Sequence, residues 1–494
     1  MKKIFLLLAL CAAAYGGFIV LTSFVPKSDQ RVVSAFSSGL AMCAPSIHPS
    51  IPNAKRFDPN VYASPAVMVR KNINSFTPAQ ITALKTGITA MKALPSTNKT
   101  SWQYQAAIHG TLLAGTQPSW NSCEHGTQFF LSWHRMYLYF FERILRSKSG
   151  DPTLTLPYWD YQTDPSLNSA YRNSSATNPL YDGTRAASIN AGGTLPAAIS
   201  TGINSSLGNV PYYDFQTDLE GPHGDVHVAV GGSTGNMRNV SKAALDPCFW
   251  LHHTNIDRLW QVWNDRCGGR TNPTNAAWLN QTYTFFDETG AAVNMTGNQV
   301  VKTAASLDYR YDLPATLSCD FNFKDWKYIR YYIYRWPRPW DLTKNIVAFN
   351  FKEAQPAEDQ KILTNLSLKL TGAEANDRIL LELNDLKFEK APEGIVEVYV
   401  NLPKGATATP KSKSFAGTVN LFAVGHKSKT GASIPVRVNI TNALKTLNLN
   451  AKDLANIQLT LLVRGNTLQG KEIKTKTDVS ASSFALIFER PQAQ

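Results

Sequence analysis

The chain has 494 residues, 43% of them hydrophobic and 17% charged, which excludes a disordered polymer and calls for two or three packed domains. The formal net charge is +13. Its basic residues are scattered, with only short clusters such as Lys411/Lys413 and Lys427/Lys429, and no nucleic-acid motif accompanies them, so no nucleic-acid partner is expected.

Met1-Lys2-Lys3 precedes an apolar run from Ile4 to Val25 that ends at Lys27-Ser28-Asp29. Residues 1–28 therefore read as an export signal, with a cleavage region near Ala12–Ala14 or later, and the protein is expected in the periplasm or secreted. The run is nearly long enough to span a bilayer, so a retained anchor is the alternative, and a membrane contact is expected only in that case. Beyond it stand Cys43, Cys123, Cys248, Cys267 and Cys319, an odd number that leaves at least one thiol outside any intrachain disulfide.

A Pro/Ser-rich lead-in runs to about residue 60. Thr77-Pro78-Ala79-Gln80 then has the form of an N-cap, a first-turn proline and a capping-box partner, followed by Ile81, Leu84, Ile88 and Met91 at helical spacing. A second helix is expected over Phe130–Arg146, long loops over 165–222, and a third helix after Pro247. From about residue 346 the texture changes to short strands separated by turns: 346–351, 362–370, 379–383, 395–400, 418–424, 436–440, 457–463 and 484–488. The expected architecture is a mainly α domain over 29–314, built on a four-helix bundle with long loops. An aromatic linker over 315–345 and an all-β sandwich over 346–494 follow.

Seven of the nine histidines fall in two groups: His109, His125 and His134, then His223, His227 and the pair His252-His253. His223 and His227, four apart, face one side of a helix. His252 and His253 are about 100° apart on a helix, so one should aim at that metal and the other away. His125, nine residues before His134, fits the loop preceding the second helix. Three neutral imidazoles leave coordination positions open, whereas hydrolytic two-metal sites normally include bridging carboxylates. No such carboxylate pattern lies beside these histidines, and an all-imidazole pair favours redox copper. His48 and His426 stand alone and are expected to be ordinary surface or core residues.

Two long segments carry a resemblance. Cys123-Glu-His125-Gly-Thr through Phe130-Leu-Ser-Trp133-His134-Arg135, and Asp246-Pro247-Cys-Phe249-Trp250-Leu-His252-His253-Thr-Asn255-Ile-Asp257-Arg258-Leu-Trp260, resemble the copper-A and copper-B signatures of the tyrosinase/catechol oxidase (polyphenol oxidase) family of type-3 copper proteins. Pro222-His223-Gly-Asp-Val-His227 and Leu156-Pro157-Tyr158-Trp159-Asp160 resemble further family motifs. Val69-Arg70-Lys71, Met91-Lys-Ala-Leu-Pro95, Tyr309-Arg310-Tyr311, Val396–Asn401 and Phe415-Ala416-Gly417 resemble the plant enzymes, including their C-terminal domain.

The resemblance implies two copper ions, with O2 as co-substrate and small phenols as partners. It implies His109, His125 and His134 on copper A and His223, His227 and His253 on copper B. Cys123 matches a cysteine that forms a thioether to the ligand His125, Glu220 a residue that holds a water near the site, and Met237 a residue gating the entrance. Phe249 and Asp257 are expected to orient the ligand helix. Gly224 is a departure, since relatives with strong monophenol hydroxylation carry Asn or Asp there. This tilts the expectation toward catechol oxidation, with Asp225 as a neighbouring substitute. The implied function is oxidation of o-diphenols, with monophenols as a further substrate class, to o-quinones. The C-terminal domain is expected to cover the site and keep the enzyme latent. A haemocyanin-like oxygen-binding protein, an o-aminophenol oxidase and a structural module with a vestigial site are the alternatives.

Overall fold

The computed structural model describes residues 51–493 apart from internal stretches, of which 314–325, 360–376 and 423–434 are the longest. The segment read as an export signal, Cys43, His48, Cys267, Cys319, His426 and the strand expected over 362–370 lie outside the described residues. Among those described, no helix is long and apolar enough to cross a membrane.

The helical part begins where the capping signals place it. Helix α1 (Pro78–Lys92) starts at Thr77, whose side chain accepts from the Gln80 amide while Gln80 reaches back to the Thr77 backbone. Helix α2 (Trp102–His109) is capped by Ser101. Helix α3 (Phe130–Ser149) ends at Gly150, whose φ of 73° suits glycine. Helices α4 (Ala197–Gly208) and α5 (Tyr212–Gly231) follow, and α6 (Pro247–Asp265) opens with Asp246 accepting from the Cys248 amide. Most residues of α3, α5 and α6 are buried, as expected of helices that form the centre of a bundle rather than its surface.

One expectation fails here. The stretch read as loop up to residue 222 contains α4 and eleven residues of α5, the last of them Pro222. Proline removes one helical N–H, and Gly221 and Gly224 weaken the pattern further. The helix persists because its buried faces pack on both sides.

Two small sheets brace the bundle. Strand β1 (Met68–Arg70) pairs in parallel with β4 (Tyr309–Tyr311), and β2 (Thr282–Phe286) forms a hairpin with β3 (Ala292–Thr296). The C-terminal part consists of two sheets. Strands β5 (Trp326–Trp336), β7 (Gln355–Pro356), β8 (Arg378–Asn384), β11 (Val436–Asn439) and β13 (Ser483–Ala493) form one, in the order β11-β8-β13-β5-β7. Strands β6 (Ile346–Asn350), β9 (Ile395–Val400), β10 (Phe415–Val419) and β12 (Gln458–Arg464) form the other, in the order β10-β9-β12-β6. Every pairing in both sheets is antiparallel. Phe349 of β6 lies 4.3 Å from Phe484 of β13 and 6.3 Å from Trp336 of β5, ring to ring, so the two sheets face each other across an aromatic core. The stretch expected as an aromatic linker thus contains β5, an interior strand paired along its whole length with β13.

The β part rests on α5 and on the loop before α4. Thr194 and Thr467 exchange two backbone hydrogen bonds of 2.8 and 3.1 Å. The Asn466 amide donates to the Ala229 carbonyl at 2.8 Å. Arg378 of β8 ion-pairs with Asp214 of α5 at 2.7 Å.

Candidate metal centre

Helices α2, α3, α5 and α6 bring the clustered histidines together. His109 ends α2, His134 is in the second turn of α3, His223 and His227 share a face of α5, and His252 and His253 lie in α6. His125 comes from the loop before α3. The His109, His125 and His134 rings stand 5.2–5.6 Å apart, centre to centre. Those of His223, His227 and His253 stand 4.7–5.4 Å apart. The two trios adjoin, with His134 stacked on His253 at 4.4 Å.

The donor atoms are aimed as a metal requires. The Nδ1–H groups of His109, His134 and His227 donate to the carbonyls of Val240, Phe130 and Met237 at 3.0, 2.7 and 2.8 Å. Such a bond fixes the tautomer and leaves Nε2 as a lone pair. The Nε2 of His253 lies 3.4 Å from that of His223 and 3.2 Å from that of His227. Burial, then the neighbouring imidazoles, holds His223, His227 and His253 well below the usual histidine pKa, and burial brings His134 down to about 3. These rings are neutral, as ligation demands. The buried Nε2 of His134 has no hydrogen-bond partner. All the metal-competent clusters among the described residues are imidazole, joined in one case by Cys123. The donor set therefore fits copper and not a carboxylate-bridged hydrolytic pair.

The adjacent pair in α6 takes two orientations. His253 turns inward, while His252 stacks behind His223 at 5.1 Å, with its Nδ1 3.3 Å from the Tyr161 hydroxyl. His252 still lies within 4.8 Å of the same donor atoms. Phe249 packs 4.1 Å from His253 and 4.8 Å from His109.

The loop carrying Cys123 and His125 is held from both sides. Glu124 accepts from Thr127 at 3.0 Å and from the Tyr283 hydroxyl at 3.2 Å. The Gly126 amide donates to Glu220 at 2.6 Å. Cys123 is a free thiol with its sulfur in the His109/His125 donor cluster. Burial pushes the Glu220 carboxyl up to about 8. Met237 is fully buried, and its carbonyl orients His227. Asp225 does not turn toward the histidines. It faces Thr418 and Glu397 of the β part and Arg238.

Two features were not anticipated. The first is the ring of Phe422, stacked on His227 at 3.8 Å and 6°, and 5.7 Å from both His125 and His223. It follows β10, and nothing in its local sequence marks it. The second is the polar knot beneath the helices. Asp257 accepts from Arg70, Arg135, Tyr309 and Tyr311, and Arg70 also pairs with Glu142. The Val-Arg-Lys and Tyr-x-Tyr motifs were visible, but not their meeting.

Comparison with known proteins agrees with this geometry. Residues 99–206 and 190–266 match the common central domain of tyrosinase. Residues 272–318 match the polyphenol oxidase middle domain, and residues 341–477 a domain of unknown function, DUF7868. The chain is 32% identical over 301 residues to a tyrosinase of Hahella sp. (strain CCB-MM4), covering 49% of this chain and 62% of that protein, which is less than two thirds of the relative. It is 25% identical over 440 residues to the latent form of a chloroplastic polyphenol oxidase of Prunus armeniaca, covering 76% and 69% of the two chains. Among solved structures, latent apple tyrosinase shares the fold with a TM-score of 0.62 at 20% identity, over 89% of this chain and all of that one (100%). With its histidine cluster, its middle domain and its C-terminal β part, the chain belongs to the tyrosinase/polyphenol oxidase family of type-3 copper proteins.

Proposed function

We propose that the chain is a polyphenol oxidase that oxidises catechols to o-quinones with O2, in a form kept latent by its β part. The observation that carries this is the pair of neutral imidazole trios with the ring of Phe422 stacked against them. His109, His125 and His134 would hold one copper, and His223, His227 and His253 the other. Bound copper supplies the electron transfer between the phenol and O2. The four electrons and four protons that take O2 to two waters come from two catechols.

The chain's own residues do the rest. The carbonyls of Val240, Phe130 and Met237 fix the ring orientations. Buried aromatic neighbours such as Phe130 and Phe249, 4.8 Å from His223 and His109 respectively, exclude water and suit a flat phenol. Glu220 lies beside the cluster, and burial raises its carboxyl to about 8. It is suited to take up a phenolic proton, directly or through a water. Phe422 occupies the face on which a phenol would dock, and its withdrawal opens the site. The absence of a side chain at Gly224, and the outward course of Asp225, favour catechols over monophenols.

Oxygen uptake and quinone absorbance on the copper-loaded protein, with catechol beside tyrosine and before and after limited proteolysis, test this reading. Activation by proteolysis with catechol turnover is expected. A cut protein that holds two coppers and reversibly binds O2 without turnover would refute the oxidase and leave an oxygen-binding protein. Cys123 is assigned as a thioether partner of His125. The tryptic peptide spanning both residues should then be lighter by two hydrogens once the protein has been loaded with copper and exposed to O2. An unchanged mass sinks that assignment.

A further inference from the structure

At position 224 the β part packs tightly against α5. A Cβ placed on Gly224 would lie 2.0 Å from Oδ1 of Asn420, 2.7 Å from its Cγ and 3.2 Å from its Nδ2. The whole carboxamide therefore stands where a side chain at 224 would be. The backbone of Gly224 is ordinary right-handed helix and does not itself require glycine. Only the space does.

Asn420 is fixed in that notch. Its Nδ2 donates to the Glu220 carbonyl at 3.0 Å, and its Oδ1 accepts the Phe422 amide at 3.1 Å. The second bond closes the short turn that brings Phe422 down onto His227. A rotation that moved the carboxamide clear of a Cβ would break both bonds, and with them the support of that turn.

We propose that Gly224 is the seat of a lock: the Asn420 carboxamide fills the space left by the missing side chain and thereby holds Phe422 over the metal cluster. Any side chain at 224 expels Asn420 and lifts the cover. The residue that shapes the substrate site on one side of α5 thus also sets latency, so a change selected for substrate choice at 224 changes regulation as well. This rests on the covering reading above and adds which atoms do the covering.

A double-mutant cycle tests it, with Gly224→Ala, Asn420→Ala and the double variant. Alanine favours helix over glycine, so α5 itself is not weakened by the first change. Hydrogen–deuterium exchange of the peptide containing Phe422, measured on metal-free protein, reads the lock without any activity. Oxygen uptake with catechol, uncut relative to proteolysed, reads its consequence on copper-loaded protein.

Gly224→Ala should speed exchange and raise the uncut-to-cut activity ratio by about tenfold, the scale of one or two lost hydrogen bonds. In the Asn420→Ala background the same change should add nothing, because the clash is already gone. If exchange at Phe422 is unchanged in Gly224→Ala, or if the effects of the two changes simply add, the lock is wrong. Absence of turnover in the proteolysed wild-type protein would instead overturn the oxidase reading. The exchange measurement would still decide the lock.

Discussion

Asp257 lies four residues beyond His253 in α6, and its carboxylate takes hydrogen bonds from Arg70, Arg135, Tyr309 and Tyr311. Burial alone would raise its pKa, but the guanidiniums of Arg135 and Arg70 hold it below the usual carboxylate range, so it stays charged. Both arginine side chains are fully buried. Removing one partner of such a group leaves uncompensated charge in a low-dielectric interior, which costs far more than the pair contributes when intact. Asp257→Asn keeps the shape and removes the charge. It should lower the unfolding free energy by about 3–5 kcal/mol, measured by urea denaturation. Asp160→Asn, at the more exposed Arg258 pair, serves as a comparison and should cost less than about 1 kcal/mol. A loss no larger at 257 than at 160 would remove the knot from the account of how α6 is held. Arg70 and Asp257 are 187 positions apart, so their pairing leaves no trace in local spacing. The histidine cluster was legible because its spacing follows from helix geometry and from long motifs. Phe422 was not, because it acts from a distant segment.

At the level of elements, α1 and α6 were found nearly to the residue from their caps, whereas α2, capped by Ser101, was not read. Thr77 and Asp246 start α1 and α6, and both stand beside a proline at the first helical position. Helix α5 was missed over its first half because Gly221, Pro222 and Gly224 are local breakers, and only tertiary packing overrides them. Its two faces explain that packing. His223, His227 and Glu220 fall on one side. Asp214, Asp218 and Asp225 fall within about 40° of one another on the other side, where the β part sits. Strand β5 was missed for a different reason. Its run of tyrosines and tryptophans shows no period-2 alternation, as in strands covered on both sides. A register shift between Leu486 and Ile487 of its partner also breaks whatever alternation remains. Strand β10 begins and ends earlier than the apolar run 418–424 implied, because Asn420 leaves the sheet to bind the Glu220 carbonyl.

In the whole molecule, the docking of β part on helices buries several charges whose protonation bears on how firmly the two hold. Arg378 ion-pairs with Asp214 and with Glu489, and Arg330 joins Glu489 from the next strand. Burial raises Asp214 to about 7, although Arg378 opposes it. Burial would also raise Glu489, but Arg378 and Arg330 together bring it down to about 2. Burial likewise raises Asp225 to about 8. Facing it are Thr418 of β10, Glu397 of β9 and Arg238. Arg238 offsets little, since its Nη atoms make no hydrogen bond and its charge acts on Asp225 only through space.

The signs follow from linkage. A carboxyl whose pKa is raised on docking favours the docked state at low pH. Asp225 and Asp214 lose that contribution as pH climbs from their ordinary value of 3.8 through about 7–8. The Glu489 contribution runs the other way. It is present above its ordinary value of 4.5 and is lost as pH falls toward about 2. Between about pH 5 and pH 8, the carboxyls that change are the raised ones, Asp218 beside Asn439 of β11 among them, so the cover should loosen as the solution becomes more alkaline. Asp225→Asn removes the larger of the two shifts without removing volume. On copper-loaded protein, where the ligand imidazoles do not titrate, the variant should melt roughly 2–4 °C higher than wild type near pH 8 and show a smaller gain near pH 5. Proteolytic release of the β part should slow in parallel at the higher pH. An equal gain at both pH values would mean that Asp225 acts through packing alone. A loss at both would mean that Arg238 depends on its charge, and the alkaline loosening would then have to come from Asp214 and Asp218.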